Sequence, residues 1–516
     1  MQRISREERI ALIVLLAASL YPFAVALLYV RGPNDDPLIT LTYAKSLALG
    51  KGFVYNAPPA TLGTTTPLSA FLLALLLKVL PFIDPARMLL LFSAFFWSAS
   101  AWVIYLGRKG LRLGHWEALT VALAMLARGN TNTLYMEERF FFCMLLLAIV
   151  LVAGRYVFWG GIATTLLFLV RGEGAFLAPL LGVYLLVQWR SRPESAPLPM
   201  PQRLLRPEVL RYIAGGAVLL AVWLVYAQMT FGAIFPLTMK AKILQGRIMQ
   251  GGLFLDSWPK SLSGLEFLTW GGAAFLFVAL AIPGVVFAVW RRSPIMIVLV
   301  WTAVFMGLYG ALRVPWYWWY AAPIVNALYL FAGLGLVALL HAGIRWKPSK
   351  PGRALAVLAV AFYLVGSALP GLGFARAPLT EANVFYLRYP AYKAVATWLT
   401  GNAQPEDAVA IAEIGHLGFY SNQPIFDFYG LVTPAQLESL ERKRPADGFW
   451  LAKPRFFVSF RDRSDLPAEA VIHSPQFDAH YKLAYTYPCP QPWGECLVFQ
   501  RKDAATPQAT APEGAR

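Results

Sequence analysis

Charged residues are scarce in this sequence. Asp, Glu, Lys and Arg together make up 14% of its 516 residues, whereas hydrophobic residues make up 58%. Soluble globular proteins have about 25% charged residues and about 45–50% apolar ones. The composition therefore excludes an ordinary soluble protein and predicts an integral membrane protein with several spans.

Cysteine and histidine are also rare. The chain has three cysteines and five histidines, with no CxxC pair and no spacing typical of a structural zinc site. Cys143 lies in an apolar run, where we expect a small packed side chain. Cys489 and Cys496 lie in the polar C-terminal part. In an oxidising compartment they could form a hairpin disulfide, and two free thiols are the alternative.

The first apolar run, residues 10–30, lacks a small-residue cleavage site at its end. It therefore predicts a first span rather than a cleaved signal peptide, and the arginines before it favour a cytoplasmic N-terminus. The net charge of +17 could indicate nucleic-acid binding. The basic residues, however, fall largely in short loops between apolar runs, which is the positive-inside pattern of membrane proteins. We expect no nucleic-acid partner.

Further apolar runs predict a polytopic α-helical membrane protein. The strongly basic loops 189–211 and 345–353 are expected in the cytoplasm. Seven apolar runs precede residue 189, so one of them does not cross if the N-terminus is also cytoplasmic. The candidates are 67–83 and 116–130, and an in-plane position for 67–83 keeps the basic cluster 108–115 inside. This argument predicts about eleven crossings, in-plane helices in an outer loop at 31–87, and an external C-terminus.

Hydrophobicity falls after residue 372, and strand patterns begin there. Residues 389–402 predict an amphipathic helix, and residues 433–444 predict a short one. Strands are predicted at 408–415, 455–460, 481–488 and 496–502. The expected domains are a membrane domain at 1–372, an extracytoplasmic α/β domain at 373–502 and a disordered tail at 503–516.

Charged and aromatic residues collect at the span ends that this topology places outside. Asp35 and Asp36 begin a helical pattern after the first span, where N-capping is the ordinary interpretation. The other charged and aromatic residues at these span ends also have ordinary interpretations. They could be a solvated helix cap, an ion pair, lysines that extend to the lipid headgroups or an aromatic belt at the membrane interface. Because charges there cost free energy unless they are paired or hydrated, their convergence predicts an outer cavity. Its further candidate residues are Glu137, Glu138, Arg171, Glu173, Lys240, Lys242, Arg313, Trp316 and Trp318.

This combination of side chains suits sugar transfer from a lipid phosphate. A carboxylate would take the proton from an acceptor hydroxyl. Cations would stabilise the departing phosphate. Aromatic rings would hold the lipid or the sugar face, and a cavity open to the bilayer would admit a polyprenyl tail.

Short motifs follow one another along most of the chain. They are DDPLITLTYA, GKGFVYN, GTTTPL, YMEERF, RGEG, FPLTMKAK, EIGHLGFYS and DFYGLVTP. In this order they resemble the GT-C superfamily of membrane glycosyltransferases. The resemblance is to the bacterial branch similar to arabinofuranosyltransferases and lipid A aminoarabinose transferases, with protein O-mannosyltransferases as further relatives.

The resemblance implies an inverting transfer from a polyprenyl-phosphate-linked sugar to a cell-envelope acceptor, which is a glycan, a lipid or a protein. It also implies the bacterial inner membrane. Asp35 is favoured as the general base and Asp36 as a positioning group or ligand of an optional divalent metal, with the reverse order as the alternative. The candidates for the donor phosphate are Lys242, Lys240 and Arg171, with Glu173 orienting Arg171. Tyr43 and Thr65 fall within the motifs as candidate substrate-lining residues.

The chain departs from the family pattern at three positions. Thr42, Gly172 and Leu237 replace the usual arginine, proline and asparagine, which leaves the donor sugar open. The main alternative is a transporter or flippase that moves a lipid-linked saccharide without chemistry. The absence of an internal repeat and the large outer domain argue against it. A second alternative is an inactive scaffold for envelope assembly.

Overall fold

The computed structural model describes most of the chain. The described residues are 5–30, 32–56, 60–127, 133–190, 205–248, 254, 273–346, scattered positions between 354 and 372, 388–462 and 466–502. The domain boundary expected at residue 373 and the tail at 503–516 lie outside them.

The part before residue 373 is helical. Its helices are Arg6–Ala18, Leu20–Leu28, Asp35–Ala48, Pro67–Val79, Pro85–Leu106, His115–Ala127, Glu138–Ala153, Val157–Val170, Leu177–Arg190, Pro207–Phe231, Leu237–Ile248, Ala273–Trp290, Met296–Ala311 and Ala322–Trp346, with 3-10 turns at Gly172–Phe176 and Trp318–Ala321. Among the described residues, four helical stretches are long and apolar enough to cross a membrane: Arg6–Leu28, Pro85–Leu106, Pro207–Phe231 and Trp319–Gly343. Six shorter apolar helices accompany them. The number of eleven crossings stays a prediction.

Two pairs of these helices pack closely at glycines. A Cβ on Gly284 would lie 1.8 Å from the Phe331 carbonyl oxygen, and one on Gly335 would lie 1.8 Å from that of Leu280. Helices Ala273–Trp290 and Ala322–Trp346 are therefore in backbone contact. Gly161 brings helix Val157–Val170 equally close to helix Pro207–Phe231. Small residues at helix crossings are typical of membrane bundles, where close van der Waals contact replaces the hydrophobic effect.

The segments predicted to be cytoplasmic lie together in the fold. Arg108 forms an ion pair of 2.8 Å with Glu8 near the N-terminus. Ser293 Oγ donates to the Leu111 carbonyl at 2.6 Å, and Arg291 pairs with Glu117 at 2.7 Å. These contacts agree with the prediction that the N-terminus and loop 108–115 lie on the same side of the membrane, and they add the loop at residue 291 to that side.

The C-terminal part contains a five-stranded sheet of order β2-β1-β3-β5-β4. The strands are β1 (Val409–Ile411), β2 (Ile425–Asp427), β3 (Phe456–Phe460), β4 (Tyr481–Pro488) and β5 (Glu495–Arg501). The pairs β1–β2 and β1–β3 are parallel, whereas β3–β5 and β4–β5 are antiparallel. Its helices are Tyr389–Asn402, Ile414–Tyr420, Pro434–Glu441, Asp447–Ala452, Leu466–Ile472 and Phe477–His480. The predicted α/β composition and the helix at 389–402 are confirmed.

The three cysteines are buried. Cys143 packs among the apolar side chains of its helix, as expected. Cys489 and Cys496 lie at the closed end of the β4–β5 hairpin, where the Cys489 amide donates to the Gly494 carbonyl at 2.9 Å. The hairpin disulfide stays a prediction.

Candidate active site

Asp35 belongs to the contact between the first outer loop and the C-terminal domain. Its carboxylate accepts hydrogen bonds from the Gly415 amide at 2.7 Å and the His416 amide at 2.8 Å. The His416 Nδ1 atom lies 3.1 Å from the same carboxylate. Asp35 is 8% exposed. Both of its oxygens are therefore already engaged by protein groups.

The rest of the outer loop continues this contact. The Tyr55 hydroxyl donates to the Ile414 carbonyl at 2.7 Å. The Asn56 side chain bonds both backbone groups of Ile425 on the edge strand β2, at 2.8 and 2.9 Å. Lys45 donates to the Phe419 carbonyl at 2.9 Å, at the end of helix Ile414–Tyr420. The loop thus forms part of the C-terminal domain's own packing.

Asp36 has different surroundings from its neighbour. Its carboxylate makes no hydrogen bond or ion pair with the residues that the structure describes. Burial raises the pKa of Asp36 to about 6, while the Lys242 charge opposes the rise and the Asp35 and Glu137 charges add to it. A partly desolvated carboxylate with a pKa near neutrality can accept a proton efficiently.

Lys242, on helix Leu237–Ile248, is close enough to Asp36 for the two charges to interact. Its Nζ atom lies 4.0 Å from the centroid of the Tyr317 ring. Burial lowers the pKa of Lys242, but the neighbouring Tyr317, Tyr320 and Asp36 outweigh this effect and raise it above its ordinary value. The lysine is therefore charged, and among the described residues it has no ion-pair partner. A cation in this position can bind an anionic ligand.

Lys240 lies only two residues earlier and points elsewhere. Its ammonium pairs with Glu441 of the C-terminal domain at 2.9 Å, and both side chains are largely exposed. A rotation of about 200° separates residues i and i+2 on a helix. The structure therefore does not bring Lys240 to the site.

Arg171 is enclosed by three carboxylates. Its guanidinium lies 3.0 Å from Glu137, 3.2 Å from Glu138 and 3.0 Å from Glu173. The Tyr309 hydroxyl donates to Glu173 on the other side. These contacts bring four of the predicted residues together. The same three carboxylates occupy the guanidinium group of Arg171. Arg171 therefore acts on Asp36 electrostatically and is not available to bind a ligand directly.

The other predicted residues have mainly structural contacts. The Tyr43 hydroxyl donates to the Thr61 carbonyl at 2.8 Å and accepts from the Gly63 amide at 2.9 Å, so it holds the loop before helix Pro67–Val79. Thr65 is half-buried in that loop. Arg313 is exposed after helix Met296–Ala311 and has a positive φ of 51°. Trp316 packs on Phe254 with ring centroids 5.2 Å apart. The Trp318 side chain lies outside the described part.

The sequence analysis did not name three residues of the site: Tyr309, His416 and Asp427. Asp427 organises the loop that lies on Gly63, accepting from the Tyr429 amide at 2.8 Å and the Val432 amide at 3.2 Å. Burial raises its pKa to about 6. Asp427 and His416 lie in the quoted motifs DFYGLVTP and EIGHLGFYS, which were the available signal. Tyr309 lies in an apolar helix without any such signal.

No cluster of three or more metal-ligating side chains with suitable geometry lies among the described residues. Glu137, Glu138 and Glu173 surround a cation rather than a vacant position.

Comparison with solved structures identifies the fold. The crystal structure of ArnT from Cupriavidus metallidurans bound to undecaprenyl phosphate matches with a TM-score of 0.56 and 16% identity, covering 96% of this chain and 99% of that one. The chain has the ArnT fold. The apo structure of ArnT from the same organism matches with a TM-score of 0.55 and 15% identity, covering 95% of this chain and 97% of that one. The predicted resemblance is thus confirmed at the level of the fold.

Sequence comparisons add one further match. A family described as a domain of unknown function, DUF8728, matches residues 382–506, which contain the five-stranded sheet. No curated protein sequence matches the chain significantly.

Proposed function

We propose that the protein is a membrane glycosyltransferase that moves a sugar from a polyprenyl-phosphate donor to an acceptor hydroxyl. The observation that carries this proposal is the pair formed by Asp36 and Lys242. A carboxylate with a raised pKa interacts electrostatically with a charged lysine, and neither has an ion-pair partner among the described residues. The ArnT fold supports the proposal, because one ArnT structure contains undecaprenyl phosphate.

Asp36 is the better candidate for the general base. The Asp35 oxygens accept hydrogen bonds from two backbone amides, and these bonds would have to break before Asp35 could receive a proton. Asp36 has no such partner in the described part. The geometry therefore favours Asp36 as the base and Asp35 as the positioning group. The resemblance had favoured the opposite assignment.

The reaction then proceeds in one displacement. Asp36 takes the proton of the acceptor hydroxyl, and the acceptor oxygen forms a bond to the anomeric carbon. The bond between that carbon and the phosphate oxygen breaks on the opposite face, which inverts the anomeric configuration. The electron pair stays on the polyprenyl phosphate, where Lys242 stabilises the increased negative charge.

Arg171 and its three carboxylates have a supporting role in this scheme. Within the cluster, Glu173 accepts a hydrogen bond from Tyr309. The Tyr309 ring packs edge-on against Tyr320, with ring centroids 5.1 Å apart. Tyr320 in turn acts on Lys242 electrostatically. Arg171 thus contributes to the donor phosphate site through its field rather than by direct contact.

The family resemblance supports the proposed cellular setting, and the topology argument supports the proposed orientation. The protein is a multi-pass protein of the bacterial inner membrane, with the N-terminus in the cytoplasm and residues 373–502 forming an extracytoplasmic domain. The acceptor is a cell-envelope glycan, lipid or protein on the outer side.

Transfer in reconstituted vesicles tests the proposal. Purified protein is given a panel of radiolabelled undecaprenyl-phosphate sugars with envelope extract as acceptor. We expect a transfer product that Asp36→Asn reduces by about 10²–10⁴-fold, the usual contribution of a general base, while undecaprenyl phosphate still binds. Asp84→Asn is the matched control, because Asp84 lies in the same outer loop and caps helix Pro85–Leu106.

The same vesicles separate the enzyme from a transporter. A transporter would move labelled donor across the bilayer in both the wild type and Asp36→Asn and would form no transfer product. That result would overturn the proposal in favour of a transport function.

A further inference from the structure

The Asp35 clasp is the set of contacts between Asp35, Gly415 and His416. It joins the first turn of helix Asp35–Ala48 to a segment 380 residues later in the chain. A Cβ on Gly415 would lie 1.9 Å from the Asp35 carbonyl oxygen, so the two backbones are in direct contact. The clasp therefore sets the position of the turn that carries Asp36.

His416 is itself held firmly. It is 3% exposed, and its ring stacks on Tyr389 with centroids 4.4 Å apart and planes at 16°. The preceding Glu413 accepts from the Tyr392 hydroxyl at 2.8 Å and pairs with Arg388. The C-terminal domain thus presents the Gly415 and His416 amides from a rigid support.

The position of Asp36 depends on this support because Asp35 and Asp36 share one helical turn. The Asp36 carboxylate itself has no hydrogen bond to a described residue that would fix it. A misplacement of about 1 Å between reacting groups can reduce a rate by about 10²-fold. Any movement of Asp35 changes the distance between Asp36 and Lys242.

We infer that the C-terminal domain completes the active site, with Gly415 and His416 acting as positioning residues for Asp36 through Asp35. This inference rests on the proposed role of Asp36 as the base. It assigns a function to the domain in the transfer step itself, beyond any binding of an acceptor.

Kinetics of His416 variants test the inference. We expect His416→Leu to lower kcat by about 10–100-fold and to leave the donor KM and the binding of undecaprenyl phosphate within about twofold. His416→Asn, whose side-chain amide can replace the Nδ1–H group, should recover most of the rate. The exposed His473 of the same domain provides the control His473→Leu, which should leave kcat unchanged.

Hydrogen exchange provides a readout that does not require activity. In the wild type, amide exchange in the peptides containing 35–48 and 414–420 should be slow, and Asp35→Ala should accelerate it in both. Wild-type kcat in His416→Leu, or unchanged exchange in Asp35→Ala, would overturn the positioning role alone. No transfer by the wild type with any donor would instead overturn the proposed function, whatever the exchange shows.

Discussion

Asp36 is the residue whose ionisation should set the pH dependence of the reaction. A general base acts in its deprotonated form, and burial raises the Asp36 pKa from 3.8 to about 6. Acidification therefore removes the active form near neutrality rather than near pH 4. We expect kcat/KM to fall tenfold per pH unit below about pH 6, and initial rates between pH 4.5 and 8 measure this. A profile that is flat down to pH 5 would contradict the assignment.

Lys242 and Lys240 form a natural pair of test and control. Charge-assisted contacts to a phosphate contribute about 1.5–3 kcal/mol, so Lys242→Ala should weaken undecaprenyl phosphate binding by about 10–100-fold. Lys240→Ala removes only an exposed ion pair with Glu441, and it should change binding less than twofold. Isothermal titration in nanodiscs measures both variants. An equal loss of binding affinity in both variants would show that the phosphate is attracted by positive charge in general and not by a specific binding site at Lys242.

At the scale of elements, helix crossings depend on a few glycines. A methyl group on Gly335 would collide with the Leu280 carbonyl oxygen of the neighbouring helix. Because overpacking costs about 1–3 kcal/mol, Gly335→Ala should lower the thermal unfolding midpoint in detergent. Gly307→Ala is the matched control, since no neighbouring heavy atom of the described residues lies within 4 Å of its Cβ position. A methyl group there should be neutral or slightly stabilising, since alanine favours helices. Unchanged midpoints in both variants would mean that the crossing can relax without cost.

At the scale of the whole molecule, the predicted topology places two exposed lysines on opposite sides of the membrane. Lys109 belongs to the segment predicted to be cytoplasmic, and Lys482 lies on strand β4 of the predicted extracytoplasmic domain. In intact spheroplasts a membrane-impermeant maleimide should label Lys482→Cys and not Lys109→Cys. Both should be labelled after permeabilisation, and the wild type with its three buried cysteines gives the background. Labelling of Lys109→Cys in intact spheroplasts would invalidate the parity argument.

Hydrogen bonds join the outer loop closely to the C-terminal domain. Lys45, Tyr55 and Asn56 all bond to the backbone of residues 414–425. The C-terminal domain therefore packs as one structure with the outer loop.

The sequence by itself determined the class of protein and many of its elements. Membrane insertion follows from the amount and spacing of apolar residues, and helix Tyr389–Asn402 follows from its local amphipathic pattern and its glycine–asparagine end. The GT-C resemblance led to the ArnT fold, and the charges at span ends led to Asp36 and Lys242. These are local or compositional properties, so no knowledge of distant contacts is needed to derive them.

Only the tertiary structure distinguished residues that look equivalent in sequence. Asp35 bonds to amides 380 residues away whereas Asp36 does not, and Lys240 pairs with Glu441 whereas Lys242 meets Tyr317. Arg171 resembled a phosphate ligand until three carboxylates were found around it. The role of a charged side chain depends on what the rest of the chain places within a few ångströms of it. That arrangement is set by long-range packing, which no local pattern records.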